Sequence, residues 1–278
     1  MSYKIIMDSC GELPEAYKGD ERFEIVPLTL EVGDDVIIDD ETFDQADFLA
    51  KVAACPLCPR SSCPSPERYM EAYRTDADHV YVITLSSHLS GSHNSACLAK
   101  NLYHEKYGAK DIHVVDSESA SGGETQIMLK LMEYEAQGLP FAKIVEKIEE
   151  FRDSVRTYFV LDSLEALRKN GRLSRVKALV ATTLSIKPIM AGDHGTIIQR
   201  GQAMGIRKAL GKMADLVIQE AADVAGRRLI ITHCNAPARA ELVRDIVTAA
   251  LSIKECIIMD TRGVSSLYAS DGGVIVTM

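Results

Sequence analysis

The stretch HVYVITLSSHLSGSHNSACLAKNLYHEKY, residues 79–107, contains the strand, loop and helix patterns on which the predicted fold rests. Its first part, His79–Leu85, is apolar and β-branched, which indicates a buried strand. Ala96, Ala99 and Tyr103 recur at helical spacing and predict one face of a long amphipathic helix. A serine-rich loop therefore joins a predicted strand directly to a predicted helix.

Similar strand patterns alternate with helical patterns along the whole chain. They lie at Lys4–Met7, Glu24–Leu30, His79–Leu85, Ile112–Val115, Thr157–Leu161, Ser185–Met190, Arg228–Thr232, Glu255–Met259 and Val274–Thr277. Strands separated by a dozen or more helical residues are normally parallel, and such sheets bind ligands beyond the carboxyl ends of their strands. We therefore predict an α/β protein with largely parallel sheets.

The length favours two domains. The chain has 278 residues, nearly twice the ~150 residues of a typical domain. A boundary between a helical stretch and a new strand predicts an N-terminal α/β domain over residues 1–155 and a C-terminal α/β domain over residues 156–278, with a ligand cleft between them. With 46% hydrophobic and 26% charged residues, the composition excludes disordered and disulfide-scaffold proteins.

The net charge and the pattern of cysteines indicate which binding partners and which cellular compartment to expect. A net charge of -9 argues against broad binding to nucleic acid and to anionic membranes, because like charges repel. No apolar run approaches the ~20 residues of a membrane span, and the N-terminus lacks a signal-peptide core. Four of the cysteines are scattered singly, as expected of reduced thiols, so we predict a cytoplasmic protein without stable membrane insertion.

The loop before the predicted helix is a candidate anion site. Ser90 or Ser92 lies near the helix N-cap, where free backbone N–H groups and the positive end of the helix dipole favour an anion. Gly91 allows a ligand to approach the backbone closely. A plain serine-capped helix explains the same residues, and the sequence leaves both interpretations open.

A second hydroxyl-rich loop lies upstream, at residues 60–66. Pro64 and Pro66 predict a stiff, exposed loop, and Ser65 is placed to cap the helix that follows. Ser61 and Ser62 lie too far upstream for capping, so they are free to face a ligand. The two loops could converge on one small polar group, such as a carboxylate.

These loops resemble segments of the DegV family. SSCPS at residues 61–65 is similar to the family's Thr-Ser-x-Pro-Ser loop, and LSGS at residues 89–92 is similar to its Leu-Ser-Gly-Thr loop. Further segments resemble the family in the same order: DS at 8–9, DS at 116–117, SGG at 121–123, LRKNGRLS at 167–174 and KPI at 187–189. Several weak motifs in the right order make the resemblance specific.

The resemblance implies a protein that binds one long-chain fatty acid, with the carboxylate at the interdomain cleft and the acyl chain in an apolar tunnel. By motif, Ser61 and Ser90 contact the carboxylate, and we expect help from Gly91 and Ser92. Ser62 and Arg207 are further candidates. The family's C-terminal head-group histidine is missing from this chain. Tunnel burial of about 0.8 kcal/mol per methylene would supply most of the affinity.

The resemblance also implies a partner. In the family, lipid-binding subunits present the acid to a separate fatty acid kinase subunit, so the chain is expected to be a carrier with no catalytic residues and no cofactor. The basic stretch at residues 168–175 provides Arg168 and Arg172 as candidates for docking an acidic partner surface. The same residues also suit the end of a helix, with Gly171 after its last turn.

Two other kinds of site are weighed against this one. Cys55, Cys58 and Cys63 offer three soft metal ligands, but no second ligand pair has zinc-site spacing, and a disulfide or free loop thiols are the alternatives, so no metal is predicted. An enzyme acting on a sugar phosphate, a polyol phosphate or an ester could use the helix N-terminus at Ser90. The sequence has neither a Gly-x-Ser-x-Gly elbow nor a phosphate-binding glycine loop.

Overall fold

The computed structural model describes residues 2–173, 176, 185–220 and 227–278. Its strands are β1 (Tyr3–Asp8), β2 (Phe23–Val26), β3 (Thr29–Val32), β4 (Asp35–Ile38), β5 (Arg60–Ser62), β6 (His79–Thr84), β7 (Asp111–Asp116), β8 (Thr157–Val160), β9 (Ile186–Asp193), β10 (Thr196–Met204), β11 (Arg228–His233), β12 (Glu255–Asp260) and β13 (Val274–Thr277). Its helices are α1 (Gln45–Ala54), α2 (Pro66–Ala72), α3 (Ser92–Tyr107), α4 (Gly122–Ala136), α5 (Phe141–Ser154), α6 (Glu165–Lys169), α7 (Ile206–Glu220), α8 (Pro237–Ala250) and α9 (Gly263–Ala269).

The first sheet is parallel throughout, with the strand order β2-β1-β6-β7. Every residue of β6 is buried, because helices cover both faces of the sheet. Helices α2 and α3 pack on one face, around Val82, and α4 and α5 pack on the other, around Tyr81. The α/β class and the parallel arrangement of this sheet are confirmed.

The second sheet has the order β10-β9-β8-β13-β11-β12, and among these pairs only β11 and β12 run parallel. The prediction of largely parallel strands therefore does not extend to this sheet. Strands β9 and β10 are joined by a two-residue turn, His194-Gly195, with φ of 43° and 76°, and so short a connection permits only antiparallel pairing. Strand β13 enters antiparallel between β8 and β11.

A third, smaller sheet of order β4-β3-β5 corrects two expectations. The stretch Glu24–Leu30 is two strands in different sheets, because Pro27 lies between them and lacks an N–H for a ladder bond. Ser61 and Ser62 belong to the short strand β5, which pairs antiparallel with β3 so that Ser61 lies opposite Leu30. The predicted loop is thus held in register by a sheet.

Helix α4 lies against strands of both large sheets. A Cβ on Gly122 would lie 2.9 Å from Cγ2 of Ile230 in the second sheet, so only glycine allows this approach. Gln126 donates from Nε2 to the carbonyls of Arg228 and Thr277. Within the described ranges, no helix is both long and apolar enough to cross a bilayer.

Candidate functional site

A largely apolar cavity, about 850 Å³ with the open space at its mouth included, lies between the first and second sheets. Its apolar wall includes Leu28, Leu85, Phe159, Leu161, Val264 and Ile275. Strands and loops from both sides of the chain contribute to this wall, so the cavity forms only in the folded molecule.

Ser61 lines the cavity because of its position in β5. Side chains alternate between the two faces of a strand, and Ser61 is half-buried while Arg60 and Ser62 are exposed. The Ser61 hydroxyl lies 3.0 Å from the hydroxyl of Tyr268. The alternation explains why the structure brings Ser61 to the cavity but leaves Ser62 outside its lining.

Ser90 lines the cavity from the loop before α3. Its Oγ accepts a hydrogen bond from the backbone N–H of Ser92 at 3.2 Å, which leaves its own O–H free to donate. Gly91 is the exposed N-cap of α3 and is not part of the cavity lining. The Ser92 side chain is fully buried and donates to Asp8 Oδ2 at 2.6 Å, so its hydroxyl is directed away from the cavity.

Arg172 and Tyr268 complete the polar end of the cavity. The Arg172 guanidinium lies 5.6 Å from the centre of the Tyr268 ring, a cation–π geometry. Arg172 Nε donates to the Leu89 carbonyl at 3.0 Å and Nη1 donates to the Asn170 carbonyl at 2.6 Å. The guanidinium is thereby fixed beside the Ser90 loop with further N–H donors to spare.

Sequence reasoning assigned Arg172 to partner docking and missed Tyr268. The structure places Arg172 in the cavity wall, half-buried, because the turn after α6 folds back over the Ser90 loop. Tyr268 lies in none of the motifs that resemble the family, and no local sequence pattern singles it out. Only the tertiary contact with Ser61 reveals it.

Two other candidate arginines lie outside the cavity lining. Arg207 is exposed near the start of α7, whose buried face is formed by residues such as Ala209 and Leu210. Arg168 is exposed on α6, which keeps it available to a partner. Ser174 and Arg175, which were part of the predicted basic stretch, lie outside the described residues.

Most other hydroxyls in the cavity wall are already paired with protein groups. Ser119 Oγ lies 2.7 Å from Thr157 Oγ1, and Ser121 Oγ donates to Glu12 Oε2 at 2.7 Å and lies 2.7 Å from Thr232 Oγ1. These hydroxyls have little capacity for a ligand. At the polar end, Ser90 and Arg172 have donors to spare, and the hydrogen-bonded pair of Ser61 and Tyr268 keeps one O–H free.

The cysteine-rich loop does not form a metal cluster among the residues described. Cys55, Cys58 and Cys63 are free thiols, and the single donor group found in those residues is Asp8, Cys10 and Glu124. Cys55 and Cys58 line a separate groove beside α1 and α6. Spacing alone could not bring the three thiols together.

The geometry gives no support to a serine nucleophile. His88 is exposed, and His93 lies 3.3 Å from Thr84 Oγ1 and 3.4 Å from Cys97 Sγ. Within the described ranges no histidine or carboxylate hydrogen-bonds to the Ser90 hydroxyl. A base within hydrogen-bond reach of the nucleophile is what hydrolase chemistry requires.

The chain also matches known proteins along nearly its whole length. A family model described as "Uncharacterised protein, DegV family" matches residues 2–277. The chain belongs to the DegV family. A DegV domain-containing protein of Streptococcus gordonii is 34% identical over 279 residues, covering 99% of this chain and 98% of the relative.

Solved DegV structures are similar over the full length. A DegV family protein from Ruminococcus gnavus, refined with vaccenic acid, is 48% identical with a TM-score of 0.97, and the match covers 100% of both chains. The Streptococcus pneumoniae Fatty Acid Kinase B3 protein, loaded with linoleic acid, is 32% identical with a TM-score of 0.90, covering 100% of this chain and 99% of that one. The predicted resemblance to DegV proteins is confirmed.

Proposed function

We propose that this DegV chain binds one long-chain fatty acid, with its carboxylate at the polar end of the cavity. The observation that carries the proposal is the convergence of Ser61, Ser90, Tyr268 and Arg172 at one end of an otherwise apolar cavity. A carboxylate accepts several hydrogen bonds and a positive charge, while an acyl chain needs an apolar wall. Both requirements meet here.

The acyl chain and the carboxylate of a fatty acid would contribute to binding in different ways. Each buried methylene contributes about 0.8 kcal/mol, so a long chain obtains most of its affinity from the apolar wall. The Ser90 hydroxyl and one hydroxyl of the Ser61–Tyr268 pair would donate to the carboxylate, and Arg172 would compensate its charge. The N-terminal end of α3, which begins after Gly91, adds its dipole. The head group thus fixes orientation.

We also propose that the chain is a carrier that presents its fatty acid to a separate kinase subunit. The similar Streptococcus pneumoniae protein is named as a fatty acid kinase component, and Ser90 lacks the hydrogen-bonded base of a hydrolase. Exposed Arg168 on α6 is the proposed docking residue. On this model the chain itself has no catalytic residues and needs no cofactor.

The domain and compartment assignments are part of the same proposal. We assign residues 1–155 and 156–278 to two units that close on the cavity, since strands of the first sheet lie within residues 3–116 and strands of the second within 157–277. The seven free cysteines suit the reducing cytoplasm.

Denaturing extraction of the purified protein followed by mass spectrometry tests the proposal directly. We expect a stoichiometric long-chain fatty acid of about 14 to 18 carbons, each buried methylene of which contributes about 0.8 kcal/mol. Protein stripped of lipid should take up an added fatty acid and should bind the matching alcohol, which lacks the carboxylate, more weakly. A ligand-free protein that takes up no fatty acid would contradict the proposal.

A further inference from the structure

A group of buried acids lies behind the cavity wall and has no part in the proposed lipid site. Asp8, Glu12 and Glu124 are at most 2% exposed. In the described part of the chain, no lysine, arginine or histidine forms an ion pair with any of the three. The charges that dominate the surroundings of Glu124 are the other two carboxylates. Cys10, which lines the cavity, is the buried thiol of the same group.

Three donor atoms of this group lie close enough to share one ion. A carboxylate oxygen of Asp8, the Cys10 Sγ and a carboxylate oxygen of Glu124 all lie within 4.8 Å of one another. Two donors of a tetrahedral zinc ion, each bound at about 2.0–2.3 Å, lie about 3.3–3.8 Å apart. Small side-chain adjustments therefore bring all three into one coordination sphere.

The hydrogen bonds of Asp8 leave it able to bind an ion. Its carboxylate accepts from the Ser92 hydroxyl at 2.6 Å, from Leu85 N–H at 3.0 Å and from Cys10 N–H at 3.1 Å. A carboxylate has about four acceptor sites, so one remains. These three donors also hold the carboxylate in a fixed orientation. Cys10 Sγ is similarly available, since its hydrogen-bond contact is a weak one at 3.8 Å to Ser265 Oγ.

Glu124 supplies an independent indication of a ligand. Both of its carboxylate oxygens are buried and have no hydrogen-bond partner among the residues described, and the same is true of Glu12 Oε1. Unpaired buried carboxylates are costly, and a bound cation removes that cost.

We propose that Asp8, Cys10 and Glu124 form a binding site for one divalent transition-metal ion of the zinc class. One thiolate and two carboxylates suit such an ion, whereas Mg²⁺ and Ca²⁺ prefer oxygen donors alone. Loading releases the Cys10 thiol proton and the Glu124 carboxyl proton to solvent, and no electron is transferred.

Cobalt(II) provides a spectroscopic test on the full chain. Chelator-treated protein receives one equivalent of Co²⁺, and a thiolate-to-cobalt charge-transfer band is expected in the near ultraviolet. After Zn²⁺ loading and desalting, elemental analysis should find about one ion per chain. Glu124→Gln should weaken metal binding roughly tenfold or more, and Cys10→Ser should abolish the band. Cys256→Ser, which changes a half-buried thiol on β12, is the matched control and should change neither.

Several outcomes would overturn the proposal. A wild-type chain that retains no zinc and shows no charge-transfer band would do so, as would a band that persists in Cys10→Ser. Metal-free wild type together with a more stable Glu124→Gln variant would show that the acids share protons instead. If Glu124→Gln fails to fold, the wild-type spectrum and Cys10→Ser still decide. Fatty acid content measured in the same samples separates this result from the fate of the proposed lipid function.

Discussion

Removing the Tyr268 hydroxyl tests the polar end of the cavity most directly. Tyr268→Phe deletes the oxygen that lies 3.0 Å from Ser61 Oγ but keeps the ring beneath Arg172. The variant therefore removes hydrogen bonding without opening a cavity. We expect the folded structure and the cation–π contact to be retained.

The expected loss of fatty acid affinity follows from the hydrogen bond between the Tyr268 hydroxyl and the carboxylate. A hydrogen bond to a charged carboxylate contributes about 1.5–3 kcal/mol, and each 1.4 kcal/mol changes affinity tenfold. The Kd for a fatty acid should rise about 10- to 100-fold. Binding should not be abolished, because a tail of about 15 methylenes at about 0.8 kcal/mol each keeps most of its burial energy.

Competition with a fluorescent fatty acid on lipid-stripped protein measures this change, and circular dichroism confirms folding. Tyr107→Phe, on a tyrosine that is 44% exposed near the end of α3, is the matched control and should leave the Kd unchanged. Tyr268→Phe and Ser61→Ala should be non-additive in the double variant because the two hydroxyls form one unit. An unchanged Kd in Tyr268→Phe, or full additivity, would refute the reasoning.

Three further predictions concern the cavity wall, the docking surface and the buried acids. Gly195→Ala should lower the free energy of unfolding, measured in thermal melts, by about 1–3 kcal/mol. Gly195 has φ of 76°, and a Cβ there would lie 2.5 Å from Ser86 Oγ. Gly211→Ala is the control and should be neutral or stabilising, because a Cβ at Gly211 in α7 meets open space. Arg168→Glu should reduce acyl-phosphate formation with a bacterial fatty acid kinase subunit and leave the fatty acid content unchanged. Lys106→Glu, an exposed charge reversal on α3, is the matched control. Undiminished turnover of Arg168→Glu would count against docking at this residue. Burial raises the pKa of Asp8 to about 6 and of Glu12 to about 7, against about 4 in unfolded chains.

The sign of the resulting pH dependence follows from proton linkage. Between pH of about 4 and 7 the native state of metal-free protein holds protons that the unfolded state has released, so these two acids make stability fall as the pH rises. Each pKa unit corresponds to about 1.4 kcal/mol per group. Urea unfolding across this window should give a less negative slope for Glu12→Gln than for wild type. Identical slopes would contradict the assignment.

The sequence by itself determined the α/β class, the DegV resemblance and two of the four polar cavity residues. Strand and helix periodicities are local properties, so β6, β7 and β13 could be predicted closely from their own residues. Ser61 and Ser90 were found because each belongs to a short motif. The split at Pro27 could also have been expected, since proline interrupts a strand ladder.

Only the tertiary structure decided the rest, because contacts between residues far apart in sequence leave no local pattern. Tyr268 meets Ser61 across 207 positions of sequence, and the turn after α6 brings Arg172 over the Ser90 loop. The antiparallel second sheet depends on where β13 inserts between β8 and β11. The buried donor group of Asp8, Cys10 and Glu124 likewise forms because α4 packs beneath the first sheet, whereas the cysteines that sequence spacing singled out remain apart from any such group.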